Sequence, residues 1–344
     1  MQETYKVAIL AGERKVDVVE KELRQPTGNQ VLVKVSYYAI CTLEQRIYAG
    51  IMKRYPFAGG HEAAGTVAAV GEKVKSVKVG DKVSVRMLTS CGECYFCRNG
   101  HENQCVISFK ADIHDGIGGP GGLAEFMMVD AKSIYKMADD LDLRFAALTE
   151  PLACCVHSVN NAGIELGNDV VVIGGGIMGD FHVQLAKRKG ARVIVCEVDQ
   201  ERLKIAKAIG ADIVIDSKET NAIEKVKELT DGRGADVVFC TAAVPQLADD
   251  SIHMVAKTGR VVMYSSFPSN RPVELDVNSV HSTEINITGA VNQNLKDFLA
   301  AARLLSFGII DPSPYISEVV PLDKIDYAFE RAIDPNTFRV LVEL

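Results

Sequence analysis

Four cysteines fall within fifteen residues of this chain, namely Cys91, Cys94, Cys97 and Cys105. Their spacing is C-x2-C-x2-C-x7-C, and thiolates spaced in this way can present four sulfurs to one tetrahedral Zn²⁺. A shell made only of cysteines leaves no open coordination position, so such a site would be structural. A disulfide is disfavoured because nothing else in the sequence indicates secretion. An iron–sulfur cluster is the remaining alternative, although ferredoxins with this run have their fourth cysteine after three residues, followed by a proline.

A glycine-rich segment, Gly174-x-Gly176-x-x-Gly179, follows the apolar run VVVI and opens an amphipathic helical pattern. In that context the glycines permit a tight turn and a close approach of the backbone to a dinucleotide pyrophosphate. Glu197 ends the next apolar run and could bind both adenosine-ribose hydroxyls while repelling a 2′-phosphate, which favours NAD over NADP. Arg202 lies close enough to weaken that preference, unless it is a solvated helix residue. The alternative interpretation of the whole motif is an ordinary strand–helix turn.

Three short segments carry further residues of metal-binding type. Cys41 ends an apolar run, His61 and Glu62 stand together in GGHEAAG, and Glu150 precedes Pro151 in TEPLACCVH. A lone cysteine or histidine is usually a core residue, and a carboxylate beside a proline can cap a helix. Each of these signals is therefore weak when it is taken alone.

Two kinds of secondary structure, predicted from two sequence patterns, must position these residues. Residues 1–150 contain short apolar segments between glycine-rich turns, including 31–38, 63–70 and 123–129, which predicts small β-strands. From residue 169 onward, apolar runs alternate with helical patterns, which predicts a doubly wound parallel α/β sheet. The alternation stops after about residue 290, where we expect the chain to return to its first domain.

Length and composition narrow the class of protein. The chain has 344 residues with 47% hydrophobic and 24% charged residues, which predicts a folded protein of about two domains. Its net charge of −7 gives no electrostatic case for nucleic acid or an anionic membrane as a partner. The sequence has no secretory N-terminus and no apolar run of about 20 residues, so we expect a cytoplasmic protein with reduced cysteines. The other four cysteines lie in apolar surroundings and are expected in the core: Cys154, Cys155, Cys196 and Cys240.

Taken together, the order of these motifs resembles the zinc-dependent medium-chain dehydrogenases, specifically the polyol (sorbitol) and threonine dehydrogenase branch. The resemblance covers essentially the whole chain. It implies a GroES-like β-barrel catalytic domain over 1–153 and 292–344, with a structural zinc lobe at about 88–108, and a Rossmann domain over 154–291. It also implies two zinc ions per chain. The four clustered cysteines would hold the structural ion, and the catalytic ion would be bound by Cys41, His61, Glu62 and Glu150.

The resemblance further implies an enzyme that moves a hydride between nicotinamide and a secondary alcohol of a polyol or sugar derivative, with zinc polarising the oxygen. A threonine dehydrogenase-type oxidation of an amino alcohol is the alternative within the family. A non-catalytic relative that still binds NAD is a third hypothesis, and the retention of all four zinc ligands argues against it. A small-molecule substrate and a homo-oligomer, a tetramer or dimer, are also implied by the resemblance.

The sequence departs from the family after Cys41. The family often has a hydroxyl residue two positions later and a histidine five positions later, which relay the alcohol proton to water. Here Leu43 and Arg46 occupy those positions, whereas Glu44 keeps the acid that supports the zinc-bound histidine.

Three explanations of this missing relay are open. A zinc-bound water or Glu62 takes the proton, Thr42 replaces the hydroxyl, or Arg46 binds a negative group of an unusual substrate. Arg46 could equally make a surface ion pair or contact the cofactor.

Overall fold

The computed structural model describes residues 3–108, 113–114, 116–267 and 271–344 of the chain. Contacts between residues divide the chain into two compact units. The first comprises Met1–Ala153 together with Asn294–Leu344, and the second comprises Cys154–Gln293.

The first half of the chain supplies short strands and four helices. The strands are β1 (Thr4–Gly12), β2 (Lys15–Glu22), β3 (Gln30–Ala39), β4 (Glu62–Val70), β5 (Lys82–Arg86), β6 (Ile113–His114), β7 (Ile117–Gly118), β8 (Phe126–Asp130) and β9 (Ile134–Lys136). The helices are α1 (Thr42–Tyr48), α2 (Tyr95–Arg98), α3 (Leu143–Ala146) and α4 (Thr149–Ala162).

Strands and helices then alternate through the second unit. The strands are β10 (Asp169–Ile173), β11 (Arg192–Glu197), β12 (Ile213–Asp216), β13 (Ala235–Cys240), β14 (Val255–Met263) and β15 (Asn286–Gly289). The helices are α5 (Ile177–Arg188), α6 (Gln200–Ala208), α7 (Ala222–Leu229), α8 (Pro245–Met254) and α9 (Val277–Thr283). The chain continues with α10 (Leu295–Ser306), β16 (Ile316–Pro321), α11 (Ile325–Ala332) and β17 (Arg339–Glu343).

The main sheet of the first unit has the strand order β16-β17-β3-β4-β5-β9, and β8 also pairs with β3. Its central strand is β3, which pairs antiparallel with β4, and Val31, Val33 and Val35 of β3 all enter one hydrophobic core. The strand predicted over 31–38 and that predicted over 63–70 are thus β3 and β4.

The last strand of the chain completes this sheet. β17 pairs antiparallel with β3, with Leu341 opposite Ala39, and the Ile40 amide donates to the Val340 carbonyl at 3.0 Å. Helix α11 packs beneath, where the Phe329 ring stacks on Tyr48 with 4.9 Å between ring centroids. The start of β17 is therefore held beside the end of β3, immediately before Cys41.

The second unit is built on a parallel six-stranded sheet in the order β12-β11-β10-β13-β14-β15. That is the strand order of a Rossmann fold, with β10 as the first strand. All five residues of β10 are buried, as expected for a central strand covered on both faces. The alternation in the sequence predicted this doubly wound architecture, and the prediction is confirmed.

Within the described parts of the chain, no helix is both long and apolar enough to cross a membrane.

Candidate metal and dinucleotide sites

The first cluster of metal-binding side chains forms where β3 ends and β4 begins. Cys41 is the residue before α1, and His61 and Glu62 lie at the start of β4. Ligand atoms of Cys41, Glu44 and His61 lie within 4.8 Å of one another, and so do those of His61, Glu62 and Glu150. His61 belongs to both groups and joins them, and all of these residues lie in the first unit.

Gly60 explains how the backbone reaches this arrangement. Its φ is +122°, a conformation that side-chain-bearing residues rarely adopt. A Cβ atom at this position would lie 2.2 Å from the backbone nitrogen of Leu123. The glycine before His61 therefore allows two backbone segments to approach closely and turns the imidazole toward Cys41.

Glu44 orients the imidazole of His61. The Nδ1 atom of His61 lies 3.1 Å from Glu44 Oε1, which also accepts a hydrogen bond from the Gly60 amide at 3.2 Å. Because a carboxylate oxygen can only accept, the hydrogen on Nδ1 points to Glu44, and Nε2 is the nitrogen that would bind a metal ion after losing its proton. Burial disfavours ionisation of both groups, but their mutual attraction holds the pKa of Glu44 low and the pKa of His61 well above its usual value.

Glu62 has a second partner that the sequence analysis did not find. Arg339, at the start of β17, donates from Nε to Glu62 Oε2 at 3.0 Å and from Nη2 to Oε1 at 2.8 Å. The side chains are only 4% and 0% exposed. Burial opposes the charged guanidinium, but attraction to the carboxylate of Glu62, together with contributions from Cys41 and Glu150, raises the pKa of Arg339.

The donor chemistry of this cluster fits zinc. Thiolate sulfur, imidazole nitrogen and carboxylate oxygen are the three ligand types that Zn²⁺ takes in proteins. The Glu44 contact fixes His61 in the tautomer that a metal ligand needs. Of the residues that follow Cys41, Thr42 is exposed, and Leu43 packs against the hydrophobic core.

The four clustered cysteines also converge. Sulfur–sulfur distances are 3.5 Å for Cys91–Cys105 and 3.9 Å for both Cys91–Cys97 and Cys94–Cys105. A tetrahedron with Zn–S bonds of about 2.3 Å has edges of about 3.8 Å, so the cysteines fit a zinc ion closely. These sulfurs are too far apart for disulfide bonds.

Backbone amides also stabilise thiolates in this lobe. The amides of Cys97 and Val106 lower the pKa of Cys94 to about 6. The amides of Ile107 and Cys91 likewise lower the pKa of Cys105. These contacts favour the anionic form that binds a metal.

The glycine motif lies between β10 and α5, as the sequence predicted. Gly174 has a φ of +103°, and a Cβ atom on Gly179 would lie 1.9 Å from the Gly174 carbonyl oxygen. The first glycine makes the turn, and the third lets the helix pack against it.

The carboxylate of Glu197 is bound to this loop by backbone amides. Oε2 accepts from Gly175 at 2.6 Å, and Oε1 accepts from Val198 and Asp199 at 2.6 and 3.0 Å. Arg202 is also beside the loop, because its Nη1 atom lies 3.7 Å from the position of a Cβ on Gly176. The acid and the cation that the sequence singled out thus meet at the same turn.

A buried histidine fixes the first turn of α5. His182 Nδ1 lies 2.7 Å from the Met178 carbonyl oxygen, so Nδ1 carries the hydrogen, and Nε2 accepts from the Ser158 hydroxyl at 2.8 Å. Burial lowers the pKa of His182 to about 4, which keeps the ring neutral. The contacts hold Met178, which lies inside the glycine motif.

One acidic residue of the motif segment was missed by the sequence analysis. Asp180, directly after Gly179, is 0% exposed, and neither carboxyl oxygen has a hydrogen-bond partner among the described residues. Burial raises the pKa of Asp180 to about 8, with Glu197 adding to the shift and Arg202 opposing it. The only sequence signal was its position in the first helical turn after the glycines.

Comparisons with known proteins agree with this geometry. Residues 27–139 match the family described as alcohol dehydrogenase GroES-like domain, and residues 178–306 match the zinc-binding dehydrogenase family. The D-arabitol-phosphate dehydrogenase of Enterococcus avium is 33% identical over 94% of this chain and 93% of its own. The sorbitol dehydrogenase of Halalkalibacterium halodurans is 32% identical over 94% of both chains.

The fold is shared with solved structures. A structure from Sinorhizobium meliloti 1021, assigned as a zinc-binding dehydrogenase and bound to NADP, has a TM-score of 0.91 and 28% identity over 100% of both chains. The predicted combination of a GroES-like domain with a Rossmann domain is confirmed. The metal-binding cluster, the glycine motif and these relatives together place the chain in the zinc-dependent medium-chain dehydrogenase family.

Proposed function

We propose that the protein is a zinc- and NAD-dependent dehydrogenase of a secondary alcohol in a polyol or sugar derivative. The observation that carries this proposal is that Cys41, Glu62 and Glu150 all lie close to His61, which is shared by two groups of possible ligand atoms in the first unit. The relatives act, by their names, on sorbitol and on arabitol phosphate, which supports a substrate of this class.

The four converging residues would hold the catalytic zinc, and each has a distinct part. Cys41 would offer its sulfur and His61 its Nε2 atom, which Glu44 orients. Both carboxylate oxygens of Glu62 already accept hydrogen bonds from Arg339, so we infer that Glu150 would be the carboxylate that binds the zinc ion. When bound, zinc supplies Lewis acidity to the substrate oxygen, and nicotinamide supplies the hydride acceptor.

The alcohol proton needs a route that avoids the usual relay. Leu43 has no atom that could carry a proton, and the guanidinium of Arg46 offers donors but no acceptor. Glu62 would have to give up its two hydrogen bonds to Arg339 in order to accept one. We infer that solvent water beside the exposed Thr42 is the acceptor.

The dinucleotide would bind at the turn of Gly174, Gly176 and Gly179, with its pyrophosphate at the N-terminus of α5. Three amides donate to the carboxyl oxygens of Glu197, yet these oxygens keep lone pairs for the ribose hydroxyls. Its charge would disfavour the 2′-phosphate of NADP. Fluorescence titration tests this: NADH should bind more tightly than NADPH, and Glu197→Ala should reduce the difference by at least tenfold.

The cysteine lobe would hold the second, structural zinc. Elemental analysis of the purified protein should give two zinc ions per chain, and Cys97→Ser should lower the content to about one without loss of the other site. Iron in place of zinc, with visible absorption, would contradict the proposal and support an iron–sulfur cluster.

Activity is the decisive test of the whole proposal. Zinc-replete protein should form NADH with at least one substrate from a panel of neutral polyols, sugar phosphates, sugar acids and threonine. Threonine as the best substrate would move the assignment to the amino-alcohol alternative. Dinucleotide binding without turnover of any alcohol would support the non-catalytic hypothesis instead.

From the family resemblance we also expect the protein to be cytoplasmic and to form a homo-oligomer. Light scattering after gel filtration would distinguish a tetramer from a dimer. A monomer would contradict the expectation.

A further inference from the structure

A cluster of cations next to the metal-binding residues has no role in the function proposed so far. It consists of Arg46 on α1 and of Lys53 and Arg54 in the loop that follows. The Met52 amide donates to the Arg46 carbonyl at 3.0 Å, and the Arg54 amide donates to the Met52 carbonyl at 3.1 Å. These two hydrogen bonds fold the loop back onto the end of α1.

The three side chains have no anionic partner among the residues that the structure describes. Among the described residues, neither an ion pair nor a hydrogen bond is made by the side chains of Arg46, Lys53 or Arg54. Arg46 is nevertheless half-buried, whereas Lys53 and Arg54 are exposed. A half-buried guanidinium without a carboxylate is notable in a chain whose net charge is −7.

Two acids of the first unit near α1 are already engaged. Glu44, two residues before Arg46, points inward to His61, and Glu62 is bound by Arg339. The remaining α1 neighbours, Thr42 and Leu43, carry no charge. No described acid pairs with this positive charge, which is therefore open to an anionic group of a ligand.

Arg46 lies within reach of the metal-binding end of α1. It follows Cys41 by five residues, which is about 7 Å along a helix axis. Residues three and four apart share a face of a helix, so Arg46 lies on the same face of α1 as Leu43 and Thr42. A sugar chain of a few carbons spans such a distance.

We propose that Arg46 binds a phosphate or carboxylate group of the substrate, while Lys53 and Arg54 add to the positive field. The planar guanidinium offers paired N–H donors that match either group, which a neutral polyol cannot exploit. The inference rests on the proposed function and narrows its substrate to an anionic sugar derivative.

The test compares matched substrates on the zinc-replete enzyme. A neutral polyol, its terminal phosphate and the corresponding sugar acid are assayed with wild type, Arg46→Gln and Arg46→Lys. Arg24→Gln serves as the control because it removes an exposed guanidinium just after β2. Binding of the anionic substrate is also measured by calorimetry without cofactor, which gives a readout besides turnover.

We expect kcat/KM for one anionic substrate to exceed that for the neutral polyol. Arg46→Gln should lower the ratio of the anionic kcat/KM to the neutral kcat/KM at least tenfold, mainly by raising KM for the anionic substrate. Arg46→Lys should restore part of this ratio. The phosphate and carboxylate arms identify which anion is used.

Three outcomes would overturn the inference. In the first, the neutral polyol is the best substrate and Arg46→Gln leaves the ratio unchanged, which refutes the inference while the dehydrogenase function stands. In the second, Arg46→Gln raises the KM of the dinucleotide and not that of the substrate, which assigns the cluster to the cofactor. In the third, no alcohol is oxidised, and both proposals fail.

Discussion

Arg339 and Glu62 are 277 residues apart in the chain, yet the guanidinium of Arg339 donates hydrogen bonds to both carboxylate oxygens of Glu62 in the interior of the first unit. The pair connects the start of β17 to the start of β4, and it neutralises one of the acids in the candidate metal-binding cluster. It therefore ties the stability of this unit to the chemistry of its site.

Replacing Arg339 with Met should leave Glu62 buried without a countercharge. We expect a loss of about 3–5 kcal/mol in the metal-free protein, measured by thermal or denaturant unfolding. Adding zinc should shrink the loss, because the cation gives Glu62 another countercharge. The double variant R339M/E62Q should recover much of the stability.

Arg14→Met is the matched control for this change. Arg14 also pairs with a carboxylate, that of Glu330, but the two side chains are 57% and 46% exposed. Its loss should cost less than about 1 kcal/mol. Equal losses of unfolding free energy in the two Arg variants would show that the buried pair contributes no more to stability than the exposed pair.

Glu44→Gln should weaken zinc binding at the Cys41 cluster without affecting the cysteine lobe. The amide keeps the shape of the side chain but removes the negative charge that orients and polarises His61. A loss of about 10–100-fold in zinc affinity is expected at one of two sites, measured by competition with a chromophoric chelator. Glu125→Gln, which alters a half-buried carboxylate that accepts from the Lys6 amide, should change neither site.

Gly179→Ala should abolish tight dinucleotide binding. The added methyl group would lie 1.9 Å from the Gly174 carbonyl oxygen, so the turn must open and the helix must shift. We expect the dissociation constant of NADH to rise at least tenfold. In the control Gly289→Ala, the new methyl group would lie 3.8 Å from the Met263 carbonyl oxygen, an ordinary contact. Unchanged zinc content in both variants would show that the first unit remains folded.

Asp180 should make the second unit less stable in alkaline solution. Its pKa rises from 3.8 in the unfolded chain to about 8 in the folded protein. The folded state therefore holds a proton that the unfolded state has lost, and the free energy of unfolding should fall as the pH rises through this window. The groups that face the carboxyl, Glu197 and Arg202, act in opposite directions on this shift.

Asp180→Asn removes this ionisation. The melting temperature of the variant should exceed that of wild type by several degrees at pH 8 to 9, and the difference should shrink toward pH 5. A difference that does not depend on pH would show that Asp180 does not titrate in this range.

The sequence was most informative where chemistry and local structure coincide. The glycines, the apolar run before them and Glu197 lie in one strand–turn–helix–strand segment, so their arrangement follows from local rules. The four cysteines occupy one lobe for the same reason. By contrast, Cys41, His61 and Glu150 come from distant segments, and only the order of the family motifs suggested that they meet.

Burial and long-range pairing could not be deduced in the same way. Asp180 stands where a helix normally exposes an acid, and only the packing of the second unit encloses it. The residues near Glu62 in the sequence do not predict its contact with Arg339, because the pairing of β4 and β17 with β3 brings the two side chains together. Such contacts depend on the tertiary fold, which single-sequence patterns do not encode.

The long separation of Glu62 and Arg339 has a consequence for synthesis on the ribosome. Glu62 is made early, and the whole second unit, Cys154–Gln293, is translated before Arg339 exists. During that interval the acid has no guanidinium to accompany it into the interior. The first unit therefore reaches its final state only after the second has been made, and a nascent chain that stalls before β17 would expose an incomplete sheet to proteases and chaperones.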